Sequence, residues 1–179
     1  MRIKNICILL ITLVFTQGCK KTVYNEITDE EMKWLVYDKG EFFVFADSAS
    51  VDTFYVTSRG AGYTVDKPYY NEGAAVTFLN YSDTFPGDIY GNIGVKKDND
   101  NGCKAAYNFP HFPLTVMLTD ITPVPTLNIN GVDYTNVYVS EADSIYYSPT
   151  NYLRKIYYTK EDGFLMLENI YGGIQYKIN

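Results

Sequence analysis

The sequence predicts an all-β fold: a single antiparallel β-sandwich or curved half-barrel of about ten strands, with one short N-terminal helix. Three observations predict it. From Glu41 onward, short apolar or alternating runs follow one another, each bounded by Gly, Asn, Asp or Pro. No segment between them carries the 3.6-residue apolar period, so no helix is available for a parallel crossover and antiparallel pairing is expected. The chain also holds 18 tyrosines and 10 phenylalanines, an aromatic share of 16%, and these residues suit a pleated, half-buried surface.

Taken in order, the chain starts with a targeting pattern. Arg2 and Lys4 precede the apolar run from Ile6 to Phe15, and Gly18 stands directly before Cys19, Lys20 and Lys21. This is the layout of a secretion signal over residues 1–18, cut so that Cys19 becomes the N-terminus and carries lipid. The run is shorter than the ~20 apolar residues a spanning helix needs, so the expected attachment to the membrane is an anchor. Removing residues 1–18 leaves 161 residues with 13 basic and 21 acidic side chains, a net charge of −8. Residues 19–27 are expected as a lipidated tether and 28–179 as one β-rich domain. An acidic chain without a basic stripe is a poor match for nucleic acid, whose phosphates need clustered Lys and Arg.

Thr28-Asp29-Glu30-Glu31 is a capping box. Met32, Leu35 and Val36 then fall on one helical face, which predicts a helix of roughly three turns stopped by Gly40 and covering one end or edge of the sheet. Glu41–Ala46 is continuous and aromatic, which predicts a strand covered on both faces. Val51–Ser58 alternates, and Ala74–Leu79, Ile89–Lys96, Lys104–Phe109 and Leu114–Thr119 are further strands. Leu127 and Ile129 lead through an Asn130-Gly131 turn into Tyr134–Ser140. Leu153–Lys160, Phe164–Glu168 and Ile174–Ile178 close the fold. Pro110, Pro113, Pro123 and Pro125 mark two irregular connections.

Catalytic and metal signatures are sparse. After Cys19 the only thiol is Cys103, so no internal disulfide is available. Its place after Asn101-Gly102 predicts a half-buried strand residue rather than a nucleophile. His111 is the single histidine, flanked by Phe109-Pro110 and Phe112-Pro113; it predicts a packed aromatic loop, and no zinc spacing accompanies it. Glu41, Asp66, Asp88, Glu141 and Glu161 are scattered, with nothing in the sequence to pair them as a glycosidase requires. Asp98-Asn99-Asp100-Asn101-Gly102 opens like a calcium loop but has no acidic ligand at its later positions, and reads as a polar hairpin tip. No metal or cofactor is expected.

Adjacent tyrosines recur at 69–70, 146–147 and 157–158. On a strand such a pair puts one ring on each face, and outward rings can stack on sugars or anchor a protein. Tyr146, Tyr147 and Tyr152, in one Pro-containing loop, are the candidate ligand- or partner-binding residues.

Trp34 to Glu41 followed by Val44-Phe45, and the closing segments Tyr134–Val139, Ile156–Leu165 and Gly173–Tyr176, resemble the two ends of small Bacteroides-type lipoproteins, with Glu41 where that family favours Asp. The resemblance covers the ends and not the middle. It implies anchoring in the cell envelope at the outer membrane, and it brings no catalytic residues. It also marks Ser48 and Ser144, in Asp47-Ser48-Ala49 and Asp143-Ser144-Ile145, as candidate O-glycosylation acceptors of that group; Asp-Ser is equally turn chemistry.

The function expected from the sequence is a lipid-anchored, non-catalytic envelope module that binds a protein or glycan. A carrier of an apolar small molecule inside a curved sheet, and a carboxylate-based hydrolase, are the alternatives.

Overall fold

A computed structural model describes residues 21–48, 50–80, 89–100, 102–148 and 152–178. Residues 1–18, expected as a signal, and Cys19 lie outside the described residues.

Twelve strands are formed: β1 (Val23–Asn25), β2 (Phe42–Ala46), β3 (Val51–Asp66), β4 (Tyr69–Asn80), β5 (Ile89–Lys97), β6 (Cys103–Asn108), β7 (Val116–Met117), β8 (Val124–Ile129), β9 (Val132–Glu141), β10 (Leu153–Thr159), β11 (Gly163–Asn169) and β12 (Ile174–Ile178). Eleven run in the order β7-β6-β5-β4-β3-β2-β12-β11-β10-β9-β8, as one sheet curled into a half-barrel. Every pairing along that path is antiparallel. Thus the curved sheet, rather than the sandwich, is the form adopted. The last strand pairs with β2, Tyr176 opposite Ala46 and Ile178 opposite Val44, in the middle of the sheet.

Alternation decides what the half-barrel encloses. One face turns Phe45, Phe78, Tyr107, Tyr158 and Phe164 inward, all fully buried, and Phe109 joins them from the loop after β6. Phe164 lies within ring-contact distance of Tyr37, Phe43, Phe78, Tyr107, Phe109 and Tyr158. β2 departs from expectation. Phe43 and Phe45 are buried, but Phe42 is 63% exposed, so only one of its faces is covered.

The N-terminal helix is also shorter than its periodicity predicts. The capping box is present: Glu31 N donates to Thr28 Oγ1 at 3.3 Å, and Thr28 N donates to Glu31 Oε2 at 2.8 Å. The helix, α1, nonetheless spans only Asp29–Met32. The reason is local competition for backbone groups. Trp34 O and Asp38 N would bond each other in a continuing helix. Instead Trp34 O accepts from the Tyr158 hydroxyl, and Asp38 N donates to Glu41 Oε2 at 2.7 Å. The chain is thereby pulled inward, and Trp34, Leu35 and Tyr37 close one end of the half-barrel as a plug.

Three further features differ from expectation. β3 and β4 run on as a long hairpin to Asp66 and Tyr69, well past the predicted strands. β1 arises within the stretch expected as tether and pairs in parallel with the end of β4, Val23 opposite Tyr69 and Asn25 opposite Asn71. β7 shrinks to two residues followed by a 3-10 turn over Leu118–Asp120. The Asn130-Gly131 turn forms as expected, with φ of 51° and 84°.

Phe164→Ala is expected to cost about 3–5 kcal/mol by removing the ring on which six others pack, whereas Phe42→Ala should cost under about 1 kcal/mol. Urea denaturation of the two variants measures this, and equal losses would contradict the assignment of inner and outer faces.

Candidate functional site

The outer face of the sheet is divided in two. Over β10–β12 it is covered: the β8–β9 hairpin lays Ile129 and Val137 against Leu165, with Tyr134, Tyr157, Met166 and Tyr176 around them. Asn136, at φ 53°, lies next to Val137 in the part of β9 that leaves β10 to pair with β8. Over β3–β7 no described residue covers the sheet in this way, and Gly and Ala fill most of its central row. The pairing register sets Gly60, Ala75, Gly94, Ala106 and Met117 in one row across five strands. The next row towards the hairpin tip is Gly62, Gly73, Lys96 and Lys104, and the row on the other side is Ser58, Thr77, Asn92 and Asn108. Missing side chains leave a largely apolar trough of about 640 Å³.

Glycine inside a strand forgoes packing and often marks a place where a ligand or another backbone approaches closely. A Cβ at Gly60 would meet nothing within 4 Å, so that position is not glycine for want of room. Charge adds a second feature. Lys96 and Lys104 are direct cross-strand partners. Like charges so placed repel, and an anion between them relieves that cost. Asp98 approaches Lys104 at 3.9 Å, a loose contact on an exposed side chain. The trough therefore offers a flat apolar floor, a polar border at Asn92 and Thr77, and a cationic border at Lys96 and Lys104.

The tyrosines singled out from sequence are distributed differently from expectation. Tyr146, in a 3-10 turn over Ser144–Tyr146, is exposed. Tyr147 is half-buried against the core and its hydroxyl donates to Ala142 O at 2.7 Å. Tyr152 is also half-buried and stacks on His111 with ring centres 4.6 Å apart. Two of the three rings thus serve packing. The same stacking, with Phe109 and Phe112 buried on either side, makes the His111 segment the packed aromatic loop expected. Cys103 is half-buried, and burial pushes its thiol up to about 11, away from nucleophilic character at neutral pH.

The acids have structural partners. Glu41 accepts from Asp38 N, Asp66 accepts from Asn99 Nδ2 at 2.9 Å, and Glu141 pairs with Arg154 and Lys155. Glu161 lies exposed in the β10–β11 turn, and Asp88 falls outside the described residues. Asp98 Oδ1 caps its own hairpin, accepting from Gly102 N at 2.8 Å and Asp100 N at 3.2 Å, which is the polar-tip reading of that segment. Among the described residues, no group of three or more His, Cys, Asp or Glu is placed to hold a metal. Ser48 and Ser144 are exposed beside Asp residues that cap their turns: Asp47 Oδ1 accepts from Ser50 N and Asp143 Oδ1 from Ile145 N. A carrier of the expected kind needs an apolar chamber inside the sheet; among the described residues, aromatic side chains pack the enclosed face.

Comparison with protein-family models, with curated proteins and with solved structures returned no match.

Ion pairs link the plug segment to the trough strands: Arg59 of β3 pairs with Asp38 and also donates to Tyr37 O, and Lys97 of β5 pairs with Glu31. Lys97 Nζ, on a side chain only 4% exposed, lies 2.6 Å from Glu31 Oε1. Burial works to raise the Glu31 carboxyl, but hydrogen bonds from Lys97 and Thr28 outweigh it and hold the carboxyl below its ordinary 4.5. A lowered folded value means stability that is complete above about pH 4.5 and lost as pH falls through that folded value. Glu31→Gln should destabilise the protein by about 3 kcal/mol at neutral pH, because the buried Lys97 ammonium loses its carboxylate counter-charge, and should flatten the acid limb of stability against pH. Thermal melts of wild type and variant between pH 3 and 7 measure both effects.

Proposed function

We propose that this chain is a lipid-anchored, non-catalytic protein of the bacterial cell envelope, held at the outer membrane through Cys19, and that its domain binds an acidic glycan in the trough across β3–β7. The carrying observation is the row Gly60–Ala75–Gly94–Ala106 beside the opposed Lys96 and Lys104. A sugar ring presents an apolar face that suits a floor without side chains. Its hydroxyls suit Asn92 and Thr64, which also line the trough, and its carboxylate or phosphate suits the lysine pair. The trough lies elsewhere than Tyr146, so the binding surface favoured by geometry is not the tyrosine loop singled out from sequence.

Gly60→Leu tests this without disturbing the fold, since its side chain enters open space. On an array of acidic and neutral glycans, the wild-type domain should bind acidic members. Gly60→Leu should abolish that binding with the melting temperature preserved. Lys96→Ala with Lys104→Ala should weaken it about tenfold or more, corresponding to ~1.4 kcal/mol. Binding that Gly60→Leu leaves intact would remove the trough as the site.

The anchor has its own test. The intact mass of protein recovered from its native membranes should equal residues 19–179 plus acyl lipid, and Cys19→Ser should release the protein from the membrane fraction. A mass without lipid would refute the anchor, and a hexose-type increment would bear on Ser48 and Ser144.

A further inference from the structure

The β3–β4 hairpin runs beyond the core and carries apolar side chains that nothing described covers. Tyr24 of β1 is 60% exposed, Tyr63 48% and Val65 53%. Tyr24 stacks on Tyr70 with ring centres 5.0 Å apart and meets Tyr63 edge-on at 6.1 Å. In this way β1 and the hairpin tip form one rigid aromatic shelf. A buried amide chain makes it rigid: Asn25 Nδ2 donates to Asn71 Oδ1 at 2.6 Å, and Asn71 Nδ2 to Asn99 Oδ1 at 2.7 Å. Val23 N donates to Pro68 O at 2.9 Å, so the first strand is fastened at the very tip.

The position of this shelf along the chain gives it a partner. Cys19 precedes Val23 by four residues, a reach of about 14 Å at full extension. An acyl chain on Cys19 therefore cannot leave the hairpin tip far from the bilayer. We infer that the shelf of Tyr24, Tyr63, Val65 and Tyr70 is a membrane-docking surface, seated at the headgroup level of a phospholipid bilayer and standing the half-barrel upright on it. Tyrosine, apolar in body and polar at its hydroxyl, is suited to that depth. Lys21 and Lys67 lie at the same end and suit lipid phosphates. Of the nearby acids, Asp66 and Glu72 are engaged with Asn99 and Ile27 N, and Glu26 lies in the turn after β1. The inference rests on lipidation of Cys19.

The test uses the full lipidated protein in vesicles of phosphatidylethanolamine and phosphatidylglycerol, with lipids brominated near the headgroup as quenchers. Tryptophan is placed at Val65 or Tyr63, and for comparison at Val51, at the opposite end of β3 and roughly 45 Å away along the strand. The native Trp34 is buried and forms a constant background. V65W and Y63W should lose most of their added emission and shift to shorter wavelength on reconstitution, with V51W unchanged. If the protein is shown by mass to be lipidated and V65W and Y63W stay unquenched, the docking surface is refuted while the anchor stands. If the mass shows no lipid, the anchor falls and the inference falls with it.

Discussion

Gly163 sits at φ 75°, and a Cβ there would lie 2.3 Å from the Tyr37 hydroxyl. That hydroxyl is the acceptor for Phe164 N at 2.8 Å, deep in the core. The contact spans 127 residues and fixes the plug to the β10–β11 hairpin. Burial pushes the Tyr37 phenol far above its ordinary value, so it stays neutral at any pH the protein meets. Much of the remaining packing depends on this point. Phe164 is carried inward at the first residue after Gly163, and the rings of β2, β4, β6 and β10 close around it. Any side chain at 163 would both strain the backbone and displace Tyr37, opening the end that the plug seals.

A sheet with this core needs cover on one face only, and the two halves of the outer face answer that freedom differently. Over β10–β12 the β8–β9 hairpin supplies a second small apolar layer. Over β3–β7 the outward positions of the row Gly60–Ala75–Gly94–Ala106 and two of the next, Gly62 and Gly73, are instead Gly and Ala. Glycine in a strand costs about 0.5–1 kcal/mol relative to alanine through chain entropy, so Gly60, Gly62, Gly73 and Gly94 together forgo stability that larger strand-forming residues would supply. The opposed lysines forgo a little more. Both choices are adverse for folding alone and favourable for holding something on the sheet surface.

The inner face was legible in the sequence because it follows the two-residue period: Phe43 and Phe45, Phe54 and Val56, Ile93 and Val95. The capping box was legible for the same reason, being a local pattern with a local cause. What followed it was not. Met32, Leu35 and Val36 have helical spacing, but Trp34, Leu35 and Tyr37 satisfy long-range packing that no window of neighbouring residues reveals. Gly60-Ala61-Gly62 and Asp66-Lys67-Pro68 carry turn chemistry, which hid the outer half of the β3–β4 hairpin. β1, three residues long, is a strand only because β4 offers it an edge. The trough escaped notice because its glycines are spread over residues 60 to 94 and become one surface only through register. Tyrosine count pointed instead to the 146–152 loop, where the structure spends Tyr147 and Tyr152 on packing.

The trough and the aromatic shelf share two strands, and that fixes their relation. The row Gly60–Ala75–Gly94–Ala106 crosses the strands, while the hairpin axis runs along them to the tip. Gly60 stands five residues before Val65, or roughly 17 Å along β3. With the tip seated on a bilayer, the trough would lie parallel to the membrane plane and roughly 17 Å from the depth at which Val65 sits. The surfaces belong to opposite faces of the hairpin and meet at Tyr63: Tyr63 pairs with Glu72 on the core side but also borders the trough, whereas Gly62 pairs with Gly73 on the outer side. A glycan tethered to that same membrane would reach the trough from the side without displacing the shelf. The proposed anchor, shelf and trough would need no movement of one to use another, as a half-barrel with a core packed by rings allows.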